Sequence, residues 1–372
     1  MNNKKLSSIP TNIITGFLGA GKTSAILHLL KQKPENERWA ILVNEFGEIG
    51  VDGSLLEAQT LNSKNVFIQE VSGGYMCCSS GITMPIALNK LLKAAKPDRL
   101  LIEPTGLGHP IEVLKVLSNQ YYQDVLSLEK TITLVDARNL ADKRYTEHVI
   151  FNQQLLIADT IVGSKTDLYR AEDKQALIDY GNTEAREFED IVFIENGELP
   201  ICLLAGKTQY TRQLNSRINQ AKTHLHNHTN SHRNDHLAKD IVTTPLNEKT
   251  VNDQSLNEKS LPKSGVIKAI NKGEGFQSIG WRFSADKIFD RAKLNNFIAS
   301  LNVTRLKAVF ITNEGNFAYN LTEIDLIAFK NDTESKINVG SKLTECNESR
   351  IEIICSKIDD IWQEKLLSCL SK

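Results

Sequence analysis

The stretch GFLGAGKTS, which begins at Gly16, has the residue types and spacing of a phosphate-binding loop. It satisfies the pattern G-x-x-x-x-G-K-[ST] through Gly16, Gly21, Lys22 and Thr23. The apolar run NIITGF predicts a strand before it, and TSAILHLLKQK predicts a helix after it. A chance glycine-rich turn is the alternative, and this strand–loop–helix context argues against it.

The chemistry of such a loop follows from its backbone. Glycine turns direct successive N–H groups toward phosphate oxygens, and the helix N-terminus adds partial positive charge. Lys22 supplies a positive charge to the outer phosphates, and the Thr23 hydroxyl is a ligand for Mg²⁺. We therefore expect the phosphates of a nucleotide to bind to Gly16, Gly19, Ala20, Gly21, Lys22, Thr23 and Ser24.

A second motif, LLIEPTGLG, ends a predicted strand with Glu103, and Gly106 follows shortly after. An acid at this position can bind Mg²⁺ directly or through water, and the Gly106 N–H can sense a γ-phosphate. Because strand C-termini form the ligand crevice of open α/β sheets, we favour this function over an ordinary turn. Lys22, Thr23 and Glu103 make up the predicted catalytic set.

A third motif, VGSKTDL, indicates which base is bound. The Asp167 carboxylate can accept both adjacent donors of guanine, whereas adenine has no matching pair. We expect the stem of Lys165 to lie on the base. The usual pattern is Asn-Lys-x-Asp, and Ser164 replaces the asparagine, whose amide contacts the base edge and the phosphate loop. Serine is shorter, which puts those contacts in question. A lysine and an aspartate in a surface loop are the alternative.

Two other stretches contain potential metal ligands. The loop VNEFGEIGVDG supplies Glu45, Glu48 and Asp52 after a predicted strand, which favours a switch or metal-binding loop over a solvated acidic loop. The loop SGGYMCCSSG contains the adjacent residues Cys77 and Cys78. Metal contact, simple packing and a redox pair are all open for these thiols, although a disulfide between neighbours is strained.

The elements that position these motifs alternate along the chain. From residue 11 to about 205, apolar runs without clean alternation are interleaved with helical patterns, which predicts an α/β fold with a mostly parallel sheet. The predicted strands are NIITGF, WAILVNEFG, NVFIQEV, DRLLIEPTG, TITLVDA, DTIVGSKTDL and DIVFIEN. The three nucleotide motifs all follow strand ends.

The second part of the chain has a different pattern. We predict a P-loop domain over residues 1–205, a disordered polar linker over 206–263 and a smaller α+β domain over 264–372. The helical stripe DKIFDRAKLNNFIASL, residues 286–301, predicts a helix in the last of these. Five of the eight histidines lie between His224 and His236, where weak metal chelation and a plain polar linker are both open.

The ordered series GFLGAGKTS, NEFGEIGVD, SGGYMCC, EPTG and SKTDL, with a His-rich stretch after it, resembles the CobW-type family of P-loop GTPases. These are relatives of the hydrogenase and urease nickel-insertion GTPases, and the resemblance covers essentially the whole chain. It implies GTP binding and slow hydrolysis, coupled to delivery of a metal, often zinc, to a client protein. The implied cofactors are GTP, Mg²⁺, and Zn²⁺ or another divalent transition metal.

The chain departs from that family at one position. Members place a C-x-C-C motif where this sequence has Tyr75, Met76, Cys77 and Cys78, so the first cysteine is replaced by tyrosine. Since a closed zinc site needs about four ligands, the two thiolates need others. The resemblance and the acidic loop together predict metal ligands among Cys77, Cys78, Glu45, Glu48 and Asp52, with His109 or His148 as further candidates.

Composition excludes several partners. Lys+Arg 44 against Asp+Glu 45 gives a net charge of -1, so no global field attracts nucleic acid or anionic lipid. No apolar run reaches the roughly 18 residues of a membrane span. The N-terminal apolar stretch is interrupted by proline and polar residues, so we interpret it as the first strand of a domain and not as a signal peptide. Six cysteines without framework spacing indicate a reducing compartment, and we expect a soluble cytoplasmic protein.

These inferences predict a GTP-hydrolysing metallochaperone or metal insertase that acts on a client metalloprotein chosen by the C-terminal domain. A nucleotide-dependent switch without a metal role and a P-loop ATPase or kinase are the alternatives. No strong catalytic base or arginine finger is visible in the sequence, so we expect slow intrinsic turnover and a site that a client can complete in trans.

Overall fold

The computed structural model describes most of the chain, with gaps. The described residues are 6–44, 49, 51, 53, 56, 65–71, 83–184, 190–210, 261–273, 275–331, 340–343 and 346–371. The linker predicted over 206–263 lies mostly outside them, and the predicted domain boundaries stay predictions. No helix among the described residues is long and apolar enough to cross a membrane.

The first part of the chain forms a parallel sheet. Among the described residues, seven strands pair in the order β3-β2-β4-β1-β5-β6-β7, and every pairing is parallel. This confirms the predicted α/β fold. The strands are β1 Ile9–Gly16, β2 Trp39–Asn44, β3 Val66–Val71, β4 Arg99–Glu103, β5 Leu126–Val135, β6 Thr160–Gly163 and β7 Asp190–Phe193.

Helices cover both faces of this sheet, which explains why its strands are apolar on both sides. Neighbouring residues of one strand belong to different cores, because successive side chains point to opposite faces. Leu100 and Ile102 pack with helices α2 and α3, whereas Leu101 packs with α1. The α-helices of this part that the structure describes from end to end are α1 Lys22–Lys31, α2 Thr83–Ala95, α3 Pro110–Leu117, α4 Lys143–Thr146, α5 Val149–Leu156 and α6 Asp173–Glu184.

The second part of the chain forms an antiparallel sheet with helices on one face. Its described strands pair in the order β12-β11-β10-β13-β9-β8. They are β8 Val266–Gly273, β9 Phe276–Ser284, β10 Arg305–Thr312, β11 Gly315–Thr322, β12 Ser341–Leu343 and β13 Glu348–Cys355. An apolar core joins this sheet to α7 Arg291–Ser300, α8 Glu323–Asn331 and α9 Trp362–Ser368.

Two predicted boundaries were wrong. The helix predicted over 286–301 begins at Arg291, because the Asp290 carboxylate caps it by accepting a hydrogen bond from Lys293 N at 3.0 Å. Strand β5 begins at Leu126, five residues before the predicted TITLVDA, because its first half pairs with β1. Neither change moves a residue of the nucleotide motifs.

Candidate functional site

The phosphate loop lies between the end of β1 and the start of α1. Gly21 has φ +91 and precedes the first turn of the helix, whose Ala25 N donates to Gly21 O at 3.0 Å. The Lys22 ammonium is buried and donates to two carbonyls of its own loop, Gly16 O at 2.9 Å and Phe17 O at 3.3 Å. The Lys22 side chain is therefore fixed inside the loop at the site expected for the outer phosphates.

Thr23 and Glu103, predicted from motifs 80 residues apart, are in direct contact. The Thr23 hydroxyl donates to Glu103 Oε1 at 2.9 Å, and both residues are buried. Glu103 Oε2 is buried without a hydrogen-bond partner among the described residues. Burial raises the pKa of Glu103, and the positive charge of Lys22 opposes that shift. A hydroxyl and a carboxylate with an unused oxygen are hard donors, so this pair fits Mg²⁺.

The loop after β4 touches the phosphate loop directly. A Cβ added to Gly106 would lie 2.9 Å from Leu18 N and 3.0 Å from Phe17 C, so only glycine allows this approach of the two backbones. Gln154 Nε2 donates to Gly106 O at 3.1 Å and fixes the turn from the other side. Gly106 therefore lies beside the loop whose ligand it was predicted to sense.

The loop after β6 is joined to the phosphate loop by Ser164, the residue that replaces the usual asparagine. The Ser164 hydroxyl, which is buried, donates to Ala20 O at 2.7 Å. Serine thus reaches the phosphate loop despite its length. Lys165 adopts a left-handed conformation with φ +59, and Asp167 lies exposed in the 3₁₀ turn Thr166–Leu168.

A pocket of about 300 Å³ lies between these loops, which is within the range of small-molecule sites. Gly21, Ser24, Ser164, Lys165 and Asp167 line it. The predicted phosphate and base residues therefore face a common space. The pocket is also lined by residues that sequence reasoning missed, namely Asn196, Gly197, Asn320 and Asp325.

The missed residues come from two places. Asn196 and Gly197 follow β7, and a turn dipeptide after a parallel strand was the signal that could have identified them. Asp325 comes from the second part of the chain, and its carboxylate lies 3.8 Å from Lys165 Nζ. Nothing local in the sequence connects Asp325 to the base loop.

The antiparallel sheet lies against the phosphate end of the site. Arg305, Lys307 and Glu352 line a cavity of about 20 Å³ together with Lys22 and Glu103. Burial, and then the charge of Arg305, lowers the pKa of Lys22 to about 7. Burial raises the pKa of Glu352 to about 7, against the charges of Lys307 and Arg305. Charged groups of both sheets therefore share one desolvated site.

A second contact between the sheet and the phosphate loop is steric. A Cβ added to Gly19 would lie 2.4 Å from Thr322 Cγ2, at the end of β11. Gly19 also has φ +76, a conformation that favours glycine. The glycine thus allows both the turn of the loop and the close approach of the sheet.

The loop after β2 connects the two sheets through its few described residues. Asn44 ends β2 with both amide atoms buried and without hydrogen-bond partners among the described residues, and it lines the same cavity as Lys22. Ile49 packs with Val309 of β10, and its carbonyl accepts a hydrogen bond from Arg350 Nη1 at 3.0 Å. This loop therefore contacts the candidate nucleotide site at Asn44 and the antiparallel sheet at Ile49.

The predicted transition-metal ligands Glu45, Glu48, Asp52, Cys77 and Cys78 lie outside the described residues. In the part of the chain that the structure describes, no group of three or more His, Cys, Asp or Glu could hold a metal ion.

The two candidate histidines have other contacts. The Nδ1 atom of His148 accepts a hydrogen bond from Ile150 N at 3.2 Å and so caps α5, while its ring packs on Phe17. His109 Nδ1 lies 3.2 Å from Gln153 Oε1. These contacts hold both rings in place, and a role of either histidine as a metal ligand stays a prediction.

Comparison with known proteins agrees with this geometry. Residues 10–193 match the family model described as CobW/HypB/UreG, nucleotide-binding domain. The zinc chaperone YeiR of Escherichia coli (strain K12) is 35% identical over 351 residues, which cover 94% of each chain.

Two further relatives match a shorter part. The zinc chaperone CobW of a Sinorhizobium species is 29% identical over 53% of this chain and 62% of its own. The zinc-regulated GTPase metalloprotein activator 1 of Schizosaccharomyces pombe is 32% identical over 46% of this chain and 42% of its own. The chain therefore belongs to the CobW/HypB/UreG family, and it is a P-loop GTPase, as the sequence predicts.

Proposed function

We propose that this GTPase is a metallochaperone or metal insertase, which couples its nucleotide state to the transfer of a divalent metal, zinc, to a client metalloprotein. The observation that supports this most is the loop after β2, which runs from the nucleotide site at Asn44 to the antiparallel sheet at Ile49. A loop anchored in this way can respond to the nucleotide and alter a second surface. The names of the zinc chaperones YeiR and CobW support the same cargo.

The phosphate loop binds the triphosphate in this proposal. Lys22 exchanges the carbonyls of Gly16 and Phe17 for phosphate oxygens, which offer a charge-assisted bond in place of neutral ones. Thr23 and Glu103 hold Mg²⁺, which when bound neutralises charge on the terminal phosphates. The Gly106 backbone, in contact with the loop, senses whether a γ-phosphate is present.

Guanine is read by Asp167, with Lys165 against the base and Ser164 positioning the loop. The substitution Asp167→Asn tests this directly. Xanthine has a carbonyl where guanine has its amino group, and an asparagine amide donates to a carbonyl. We expect D167N to prefer xanthosine over guanosine triphosphate in competition binding. An unchanged preference for GTP would remove Asp167 from the base site, and tighter binding of ATP by the wild-type protein would contradict the guanine assignment.

The metal is proposed to bind Cys77 and Cys78 together with carboxylates from Glu45, Glu48 and Asp52. Two thiolates and hard carboxylates are compatible with Zn²⁺.

Zinc titration with and without GTP tests the metal role. We expect one tight site whose affinity changes with the nucleotide and which is lost in the double variant C77S/C78S. The matched control is Cys355→Ser, which removes a buried thiol from the antiparallel sheet. Zinc affinity that is equal in C77S/C78S and wild type would exclude the cysteine loop as the site. The absence of any GTP-dependent zinc binding would instead favour a nucleotide switch without a metal role.

A further inference from the structure

The two faces of the antiparallel sheet differ in chemistry. On β10, Leu306 and Ala308 belong to the apolar core beneath the helices α7, α8 and α9. Because successive side chains of a strand point to opposite faces, Arg305 and Lys307 belong to the other face. On β13, Glu352 lies on the same face and is in register with Lys307. Charged side chains therefore alternate with core residues on both strands.

In most antiparallel sheets such a polar face is solvated, but here it is covered. Arg305 is 7% exposed and Lys307 is 4% exposed. Both line the cavity that contains Lys22 and Glu103, which are the groups of the phosphate and Mg²⁺ sites. Cations of the second sheet thus lie where the terminal phosphate of a nucleotide is expected.

Basic and acidic side chains of both sheets meet around this cavity. Three basic residues line it, Lys22, Arg305 and Lys307, together with the carboxyl groups of Glu103 and Glu352. Burial of like charges side by side is unfavourable unless opposite charge compensates them. Glu352 lies opposite Lys307 on the neighbouring strand, and Arg305 Nη2 donates to Asn320 Oδ1 at 3.3 Å. A terminal phosphate bound at Lys22 would place its negative charge beside these two basic side chains, because all three line the same cavity.

We propose that Arg305 and Lys307 are part of the GTP site: both bind the γ-phosphate, and Arg305 stabilises the negative charge on it during hydrolysis. The antiparallel sheet thereby supplies in cis the arginine that was not recognisable in the sequence. This inference rests on GTP hydrolysis and is independent of the proposed metal transfer.

The reaction is the hydrolysis of the terminal phosphoanhydride. The oxygen of a water bonds to the γ-phosphorus, and the bond from that phosphorus to the β–γ bridging oxygen breaks. The electron pair of the broken bond stays on GDP, and both protons of the water end on the released dihydrogen phosphate. The guanidinium of Arg305 donates hydrogen bonds to non-bridging γ-oxygens throughout and is chemically unchanged.

The variants Arg305→Gln and Lys307→Gln test the proposal, with Arg282→Gln as a matched control. Arg282 is a buried arginine of β9, 6% exposed, whose Nη2 donates to Glu348 at 2.9 Å, and it does not line the cavity. For each variant we would measure the single-turnover rate of GTP hydrolysis and the dissociation constants for GDP and for a non-hydrolysable GTP analogue. A further assay measures the binding of GDP together with tetrafluoroaluminate. Thermal unfolding reports whether each variant is folded.

We expect R305Q to hydrolyse GTP about 10²- to 10³-fold more slowly, as for the loss of one transition-state donor. Its affinity for GDP changes by less than about threefold, and its binding of GDP with tetrafluoroaluminate is lost, because only the latter mimics the transferring phosphoryl group. K307Q binds the GTP analogue about tenfold more weakly with unchanged GDP affinity. R282Q differs from wild type in none of these nucleotide measurements.

Hydrolysis by folded R305Q within about threefold of wild type would overturn the proposal. Equal losses in R305Q and R282Q would also do so, since both would then reflect stability. If R305Q does not fold, Arg305→Lys replaces it, because this variant keeps the charge and loses the planar fork. R305K is expected to bind the GTP analogue and to remain slow, and a wild-type rate would contradict a catalytic arginine. Zinc is absent from every assay, so a failure of metal transfer is a separate result.

Discussion

The hydrogen bond from Ser164 to Ala20 gives a prediction with a defined magnitude. It is short, 2.7 Å, and its donor is 2% exposed, so water cannot replace the hydroxyl when it is removed. The substitution Ser164→Ala deletes the donor and leaves a buried carbonyl without it. Loss of one partner in this way costs about 1–3 kcal/mol. We therefore expect the free energy of unfolding of S164A to fall by that amount.

Equilibrium unfolding in urea measures this change as a lower midpoint with an unchanged slope. Ser118→Ala is the matched control, because Ser118 Oγ is buried and has no hydrogen-bond partner among the described residues. Removing a buried hydroxyl that makes no bond relieves a desolvation cost, so S118A is expected to be as stable as wild type or slightly more stable. Equal midpoints for S164A and S118A would refute the assigned bond. Because Ser164 also positions the base loop, S164A should bind GDP more weakly than S118A does.

Three other variants test the contacts around the nucleotide. Gly280→Ala adds a Cβ that would lie 2.4 Å from Ile49 Cγ1. We expect the free energy of unfolding to fall by about 1–3 kcal/mol and the Ile49 amide to exchange hydrogen faster. Unchanged exchange would disprove this packing. Burial raises the pKa of Glu352 from 4.5 to about 7, so the folded protein retains a proton that the unfolded chain releases. The free energy of unfolding of the wild type should therefore fall as the pH rises from about 4.5 to about 7, and E352Q should lack this component. Identical stability profiles for the two proteins would count against a raised pKa of Glu352. Thr23→Ala removes a predicted Mg²⁺ ligand. The ratio of the GDP affinity with Mg²⁺ to that with EDTA should therefore fall toward one. An unaltered ratio would exclude Thr23 as a ligand of Mg²⁺.

The parallel sheet and its phosphate loop were predictable because their signals are local. GFLGAGKTS requires a strand before it and a helix after it, and both are present as β1 and α1. Glu103 was predicted from its place at a strand end, and parallel strand ends meet at one edge of the sheet. The reach of Ser164 was not predictable, because it depends on the distance between two loops far apart in the sequence.

The start of α7 shows how tertiary contacts override a periodic pattern. Ile288 and Phe289 fit the helical stripe of residues 286–301, yet they precede the helix. Phe289 pairs instead with the sheet, because its N–H donates to Ile311 O at 2.9 Å and its carbonyl accepts from Asn313 N at 2.9 Å. Its ring is fully buried against the apolar core. A helix extended through Phe289 would lose these contacts, and the sequence alone does not contain them.

The charged face of the antiparallel sheet was hidden for a related reason. In RLKAVFIT, apolar residues alternate with Arg305 and Lys307, and such a pattern usually indicates a strand with one solvated face. What differs here is the partner of that face, which is the phosphate loop nearly 300 residues earlier in the chain. Because Lys22 and Arg305 line one desolvated cavity, a phosphate that binds at Lys22, as we propose, would alter the electrostatic energy of both sheets. The same cavity includes Asn44, where the loop to Ile49 begins. In the proposed mechanism a nucleotide signal has two physical routes to the antiparallel sheet, one through charge and one through packing, and we expect R305Q and G280A to interrupt them separately.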